Sequence, residues 1–265
     1  MLEEIFAVAK PVIGVIHLLP LPGSARWDGL MEPILQRAEQ EAAALATGGV
    51  HGIIIENFFD APFTRARVDT ATACALALVA KRIQSVSDLP LGINVLRNDG
   101  LSALAIAATV GAAFIRVNVY TGAMVTDQGL IEGQAHDLLI YRRQLGAQKN
   151  IKILADVMVK HAEPLAANTD IKQTAKDTVF RGLADGVIVS GVATGSGPEI
   201  DDVKAVREAL PSTPIFIGSG TNKENINQLL AHADGVIVAS SLKRQGVLEN
   251  PVDVERVRSL VSMIK

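Results

Sequence analysis

Short apolar runs recur along this chain, and a segment with a helical pattern of apolar and polar positions follows each of them. Each run is nearly free of polar residues, as is typical of a parallel strand covered on both faces. The runs lie at residues 12–17, 52–55, 91–95, 114–119, 151–157, 186–189, 215–217 and 235–238. We therefore predict eight buried strands.

The segments between the runs carry the periodicity and the stop signals of helices. The first of them is rich in Ala, Glu and Gln and stops at a Gly-Gly pair. Thr221 is predicted to cap a later helix, with Glu224 completing a capping box. The first helix is predicted at residues 33–47. One later helix ends at residue 85 and another at residue 110. The remaining predicted helices lie at 138–145, 171–182, 199–210 and 252–264.

A strand followed by a helix, repeated eight times, predicts an α/β protein with a single (β/α)₈ TIM barrel over residues 1–265. The rival architecture is a doubly wound open sheet, which usually has fewer strands. In its dinucleotide-binding form it carries G-x-G-x-x-G directly after the first strand. This chain has His17-Leu-Leu-Pro there instead. No linker or shift in composition divides the chain, so we predict one domain.

Composition narrows the class of protein. A hydrophobic content of 49% with 20% charged residues is typical of a soluble globular protein. A net charge of −3 offers no basic face for nucleic acid. The single cysteine, Cys74, excludes an internal disulfide framework. Because we find neither a transmembrane run nor a signal-peptide pattern, we expect a cytoplasmic protein, with peripheral membrane contact left open.

The predicted strands six to eight end in small residues. Free N–H groups at such turns, beside a helix N-terminus, form anion pockets, and TIM barrels hold a phosphate after strands seven and eight. The alternative is that these glycines and serines only make turns. The predicted site for a small phosphorylated ligand consists of Ser190, Gly191, Gly218, Ser219, Gly220, Ser240 and Ser241.

Ionisable side chains lie in or beside the apolar runs, where an unpaired polar group costs a few kcal/mol. Glu56 and Asp156 are candidates for general acid–base catalysis, unless each pairs with a cation such as Arg116. His17 is a candidate proton shuttle or a structural histidine. Lys160 is a candidate Schiff-base amine, or a counter-charge for a ligand because it lies beyond the strand end. The other predicted pocket residues are Asn57, Asn94, Arg97, Asn98, Asp99, Arg116, Asn118 and His161.

Three further features bear on the site and its surroundings. The histidines and carboxylates among these candidates lack the compact spacing of a metal site, so we predict no metal and no cofactor. The loop at residues 121–129 is a candidate lid, or a surface loop that happens to be long. Apolar residues at 18–22 and the pair Phe58 and Phe59 would roof the pocket, form a subunit interface or touch a membrane. We expect a roof or an interface, and a homo-oligomer.

Several segments carry a more specific signal. They are GVIHLLPLPGSARW, GIIIENFFDAPF, LGINVLRNDGLSALAIA, FIRVNVYTGAMVTDQGLIEG, LADVMVKHAEPL, GLADGVIVSGVATG and FIGSGTNKENI. Together they resemble the BtpA/SgcQ family over nearly the whole chain, and its cyanobacterial branch above all. The resemblance implies an extrinsic factor on the cytoplasmic face of the thylakoid membrane, needed for photosystem I accumulation, whose partner is a photosystem I subunit or assembly factor.

Two functions from different classes follow. The first is an enzyme, of lyase, isomerase or hydrolase type, that acts on a phosphorylated sugar or a nucleotide-like metabolite. The resemblance also implies a link to sugar metabolism for the other branch of the family, which agrees with an enzyme function. The second is a non-catalytic biogenesis factor that binds a photosystem I subunit, a lipid or a cofactor precursor. The fold does not decide between them, because barrels host many unrelated functions.

Overall fold

Eight parallel strands form a closed barrel in the computed structural model, which describes residues 2–191 and 197–264. In chain order the strands are β1 (Val12–His17), β2 (Gly52–Glu56), β3 (Leu91–Asn94), β4 (Phe114–Val117), β5 (Ala123–Thr126), β6 (Gly129–Glu132), β7 (Lys152–Val157), β8 (Ala162–Pro164), β9 (Gly186–Val189), β10 (Ile215–Ile217) and β11 (Gly235–Val238). Around the barrel the order is β1-β2-β3-β4-β7-β9-β10-β11, and β11 pairs with β1.

Each barrel strand is followed by a helix that covers its outer face. The helices are α1 (Leu2–Phe6), α2 (Glu32–Gly48), α3 (Thr70–Gln84), α4 (Gly100–Val110), α5 (Ala135–Gln144), α6 (Ile171–Lys176), α7 (Ile200–Ala209), α8 (Ile226–Leu230) and α9 (Val254–Val261). The predicted (β/α)₈ barrel is confirmed, because apolar runs covered on both faces are what such a barrel needs. No helix in these two described stretches has the length and apolarity that a membrane crossing requires.

Alternate residues of each barrel strand point inward and fill the barrel. Ile13, Val15, Ile54, Phe114 and Phe216 belong to this inner cluster. Phe6 of α1 packs edge-on against these two rings, with centroids 5.6 and 6.3 Å away, and covers one end of the barrel. Sequence analysis missed α1, because a helix of five residues is too short to show periodicity. The opposite end of the barrel is left open.

The predicted loop at residues 121–129 is wrong in one respect, since much of it is sheet. Strands β5 and β6 form an antiparallel hairpin, and β8 pairs with the outer edge of β5. A small apolar cluster of Val119, Met124, Ile131 and Val159 supports this sheet. The three strands are only three or four residues long and half-exposed, so they lack the apolar runs that marked the barrel strands. They join the segment after β4 to the segment after β7.

One predicted helix cap is also wrong. Thr221 does not cap α8; instead the Asn222 carboxamide accepts hydrogen bonds from the N–H groups of Glu224 and Asn225, at 3.0 and 3.1 Å. The helix predicted at 171–182 has the expected bounds, and its second half, Asp177–Arg181, is π-helical. Both the cap and the π-helical turn depend on local hydrogen bonding, which the pattern of apolar residues does not encode.

Candidate functional site

The strand register gathers polar side chains at the open end of the barrel. His17, Glu56, Asn94 and Arg116 are register partners on β1 to β4, and each continues the inward alternation of its strand. Asp156 does the same on β7, two residues after the inward Leu154. All five are buried. The sequence predicted these residues from the strand ends alone, and the structure brings them together.

The other side of this ring is built from small residues. The next inward positions after β9, β10 and β11 are Ser190, Gly218 and Ala239. A side chain at Gly218 would collide with Ser190 Oγ and lie 2.5 Å from Ile188 Cγ2, so only glycine fits. The Oγ atom of Ser190 is itself buried without a hydrogen-bond partner. Five long polar side chains therefore face a shallow rim of small residues.

Two spaces that share Lys160 on their linings lie at this rim. The inner one is about 20 Å³, room for roughly one water molecule. Its lining includes His17, Glu56, Arg116, Lys160, Gly218, Ser219, Gly220 and Ser240. The outer cavity, also lined by Lys160, is about 590 Å³, within the range of small-molecule sites. Its lining includes Asp127, Lys160, His161, Ser190 and Gly191.

Arg116 and Asp156 form a buried ion pair across the ring. Nη2 of Arg116 lies 3.1 Å from both carboxylate oxygens, and Nδ2 of Asn118 donates to Oδ2 at 2.7 Å. Burial alone would lower the pKa of Arg116, but the Asp156 and Glu56 carboxylates raise it above its usual value. Of the two readings of Asp156 left open by the sequence, pairing with Arg116 is the one that the geometry shows.

The Glu56 carboxylate, in contrast, has no direct partner. Within the described ranges it makes no side-chain hydrogen bond and no ion pair within 4 Å, although its side chain is buried. It acts on Arg116, Lys160 and Arg97 only through longer-range attraction. A buried carboxylate that is not engaged by the protein is available for a ligand or a proton. Glu56 is thus the better placed of the two predicted acid–base residues.

Lys160 reaches the ring although it follows the end of β7. Its backbone carbonyl accepts a hydrogen bond from Nη2 of Arg97 at 2.7 Å. Met158 and His161 on either side hold left-handed φ values of 53° and 56°, a strained conformation for residues other than glycine. Burial lowers the pKa of the Lys160 ammonium, and Arg116 lowers it further, against the opposing effects of Glu56 and Asp156. The segment is therefore held in a shape that directs this amine inward.

His17 is a neutral histidine in this setting. Its ring stacks on Phe58 with centroids 4.2 Å apart, and Phe59 meets it edge-on. Burial, followed by the charges of Lys243, Lys160 and Arg116, holds the pKa of His17 well below its usual value. Its Nδ1 atom is buried without a partner. Phe58 and Phe59 thus cover one side of the open end, as the roof interpretation of these residues requires.

We expect His17 to make the fold acid-sensitive. In the unfolded chain its imidazole gains a proton below about pH 6.5, while the folded protein keeps it neutral. The unfolded state then binds more protons, so stability falls as the pH drops below about 6.5. Urea unfolding of His17→Gln between pH 7 and pH 5 should show a slope up to about 1.4 kcal/mol per pH unit shallower than the wild type. His136→Gln, on a fully exposed ring, is the control; equal slopes in all three proteins would contradict the assignment.

Three predicted pocket residues form hydrogen bonds to loop atoms and line neither the inner space nor the outer cavity. Asn57, which follows the inward Glu56 and so faces outward, binds Asp60 and both backbone groups of Leu96. Asn98 exchanges two hydrogen bonds with the backbone of Val119. Asp99 caps α4 and accepts from the Val68 N–H at 2.9 Å. These side chains turn to neighbouring groups because position after a strand does not fix the direction of a side chain.

The remaining predicted residues divide between the cavity and its supports. The carboxamide of Asn94 donates to the Arg116 carbonyl, and its Oδ1 is buried without a partner. Ser241 is not part of the inner lining, because its hydroxyl donates to the Thr221 carbonyl. His161 is exposed at the rim of the outer cavity. No group of three or more potential metal ligands occurs in the part of the chain that the structure describes.

Sequence analysis missed Lys243. It is fully buried after β11, and its ammonium lies 2.6 Å from Glu41 Oε2 on α2. Its charge also lowers the pKa of His17. A lysine directly after the apolar run GVIVASSL was the available signal.

The two spaces differ in charge. The inner space is lined by two cations, Arg116 and Lys160, and by one carboxylate, Glu56, a net charge of 2 − 1 = +1. The outer cavity is lined by Lys160 and by the carboxylates of Asp127, Glu163, Asp170 and Asp202. The inner space is thus the part of the open end that is suited to an anionic group.

Comparison with known proteins fits this picture. The model of the BtpA family matches residues 8–265. The chain belongs to the BtpA family. The resemblance read from the sequence motifs is therefore confirmed.

Relatives of this BtpA-family chain come from several groups of organisms. It is 56% identical to the photosystem I biogenesis protein BtpA of Synechocystis, over 98% of this chain and 90% of that protein. It is 46% identical to an uncharacterized protein of Thermococcus kodakarensis, over 97% and 95% of the two chains. The putative sgc region protein SgcQ of Escherichia coli is 31% identical over 99% and 97%. The whole barrel is thus shared.

Solved structures agree on the fold of this BtpA-family chain. The native KDPGal structure matches with a TM-score of 0.57 at 14% identity, covering 97% of this chain and 95% of the other. Phosphoribosylanthranilate isomerase from Pyrococcus furiosus matches with a TM-score of 0.55 at 12% identity, covering 96% and 98%. At these identities the likeness establishes the barrel and leaves the activity open.

Proposed function

We propose that this BtpA-family barrel binds a small phosphorylated ligand at its open end and that this ligand chemistry underlies a role in photosystem I biogenesis. One observation carries the proposal: the ring of strand ends holds unpartnered buried polar atoms around an inner space with a net positive charge. The atoms include Nδ1 of His17, which lines that space, and Asn94 Oδ1 and Ser190 Oγ at the ends of neighbouring barrel strands. Native proteins rarely leave such atoms unsatisfied, and a ligand is one explanation for the cluster.

The two sides of the ring suit two parts of such a ligand. The phosphate would lie on the rim of small residues, against the backbone at Gly218–Gly220 and the hydroxyls of Ser219 and Ser240. The rest of the ligand would face Glu56, whose free carboxylate can take a proton from it. Arg116, fixed by Asp156, would supply positive charge to a developing oxyanion. This division of roles belongs to a lyase or an isomerase.

Phosphate binding can be tested by unfolding the protein with and without ligand. A ligand at about a hundred times its dissociation constant, bound only to the native state, adds about 2.7 kcal/mol to stability. Inorganic phosphate and a panel of sugar phosphates should raise the melting temperature of the wild type. Ser219→Asp combined with Ser240→Asp should abolish that shift, because two carboxylates would repel the dianion.

Ser212→Asp combined with Ser262→Asp places the same charges on exposed serines and should leave the shift intact. A shift of equal size in both double variants would contradict the site. The absence of a shift with every phosphorylated compound would contradict the proposal as a whole.

A role in photosystem I biogenesis is favoured by the 56% identity to the Synechocystis protein. We further propose peripheral attachment to the cytoplasmic face of the thylakoid membrane, contact with a photosystem I subunit or assembly factor, and a homo-oligomeric state. In a cyanobacterium deleted for its own BtpA protein, wild-type chain should restore photosystem I and Glu56→Gln should not. Restoration by Glu56→Gln would favour a non-catalytic scaffold.

A further inference from the structure

We propose that Lys160 is a nucleophile, whose amine forms an imine with an aldehyde or ketone carbonyl of the phosphorylated ligand. This inference rests on the proposed function, because it concerns the reacting end of the same ligand. It names the substrate class as phosphorylated carbonyl compounds. It also replaces the expectation that Lys160 only balances the charge of the phosphate.

The surroundings of its amine distinguish Lys160 from the buried Lys243 and from Lys10. The ammonium of Lys243 pairs with Glu41 at 2.6 Å, and that of Lys10 donates to the Leu230 carbonyl at 2.6 Å. In the stretches that the structure describes, the side chain of Lys160 has no hydrogen bond and no ion pair. It lines both the inner space and the outer cavity, so it stands where a ligand must pass. An amine held there without a partner is not explained by packing.

Several interactions fix the backbone around Lys160, although it lies in a loop. Arg97 binds its carbonyl, and left-handed residues lie two positions before it and one after it. Strand β8 begins at Ala162 and ties the segment to β5. A side chain on such a support loses little freedom when it reacts, which is what a positioned nucleophile requires. A mere counter-charge would tolerate a mobile segment.

The electrostatic environment favours the reactive form. Burial and the nearby guanidinium of Arg116 lower the pKa of Lys160, so a larger share of the amine is unprotonated near neutral pH. Glu56 faces the same inner space without a partner and can exchange protons with the amine and the ligand. Neutral His17 is on the same lining and offers a second route for a proton.

The proposed step is balanced without any other reactant. The Nζ lone pair attacks the carbonyl carbon to form a C–N bond, and the carbonyl oxygen becomes a hydroxyl by taking a proton released from nitrogen. The C–O bond of this carbinolamine then breaks, and the hydroxyl leaves as water with a second proton. Glu56 carries the protons between nitrogen and oxygen. The products are the imine and one water, with no change in oxidation state.

The imine can be trapped on the intact protein. Dihydroxyacetone phosphate, glyceraldehyde 3-phosphate and other phosphorylated aldehydes and ketones would each be added with sodium cyanoborohydride, which reduces an imine to a stable secondary amine. Peptide mass spectrometry should find about one adduct per chain, on Lys160. Excess inorganic phosphate should suppress this labelling in the wild type. Lys160→Arg should abolish it, and Lys149→Arg, on an exposed lysine, should not.

The melting temperature separates the two proposals. If phosphorylated compounds stabilise both the wild type and Lys160→Arg, and Lys160 is labelled in the wild type, both proposals stand. If they stabilise the protein but the panel leaves Lys160 unlabelled, or labels it no more than Lys149, the imine is overturned and phosphate binding survives. If they neither stabilise nor label, both are overturned. Suppression by phosphate in the wild type gives the answer even if Lys160→Arg fails to fold.

Discussion

Glu41→Gln is expected to destabilise the protein by about 3–5 kcal/mol, the cost of leaving a buried charge without its partner. Glu41 and Lys243 are both essentially inaccessible to solvent, and Glu41 also binds Nε of Arg37 at 2.7 Å. The glutamine keeps the size and shape of the side chain but removes its charge. The Lys243 ammonium would then be buried beside a neutral amide. Urea unfolding followed by circular dichroism measures the loss.

A double variant tests whether the loss comes from the unpaired charge. Glu41→Leu with Lys243→Met replaces the pair with apolar side chains of similar size, which is often neutral or stabilising. It should regain most of the stability that Glu41→Gln loses. Lys204→Met, which breaks an exposed pair with Asp201, should change stability by less than about 1 kcal/mol. If Glu41→Gln were as mild as Lys204→Met, the pair would not be a structural element.

Arg116→Met is expected to cost a similar amount, about 3–5 kcal/mol, and in addition to abolish ligand binding. Without the guanidinium, the Asp156 carboxylate would keep, among the described residues, only the hydrogen bond from Asn118. The inner space would also lose one of its two cations, so its net charge would fall from +1 to 0. Urea unfolding measures the first effect, and the ligand-induced shift in melting temperature measures the second.

The two effects of Arg116→Met can be separated. Adding Asp156→Leu removes the orphan carboxylate and should recover much of the stability, since an apolar replacement of the pair is tolerated. It should not recover ligand binding, because the guanidinium is still missing. Arg258→Met on the surface of α9 is the matched control and should have neither effect. Recovery of binding in the double variant would show that Arg116 serves folding alone.

The barrel could be predicted from the sequence because a buried strand is marked by a short apolar run, and such a run occurs eight times. A strand such as 235–238, covered on both faces, must be apolar throughout, and eight such runs leave few architectures. His17 and Glu56 were predicted at the site because they lie at the ends of such runs. The small sheet was not predictable in this way, since β5, β6 and β8 are short and half-exposed.

The sequence did not predict the direction of side chains that depends on loop geometry. Asn57 and Asp99 sit at strand ends as Glu56 does, yet their side chains turn to neighbouring backbone groups. Lys160 lies in the loop after β7, and the strained backbone on either side of it brings its side chain to the cavity. The sequence also did not show which carboxylate Arg116 pairs with. Arg116 is near both Glu56 and Asp156, but it binds Asp156. Such outcomes depend on differences of an ångström, which apolar patterns do not record.

The uneven ring at the open end bears on how such a barrel diversifies. Ser190, Gly218 and Ala239 leave the rim of β9 to β11 mostly to backbone, whereas β1 to β4 and β7 contribute the long side chains. A substitution at Glu56 or Asn94 would alter what the barrel does without disturbing the rim opposite. New specificities can then arise by exchanging a few residues on one half of the ring, while the anchoring half is inherited unchanged.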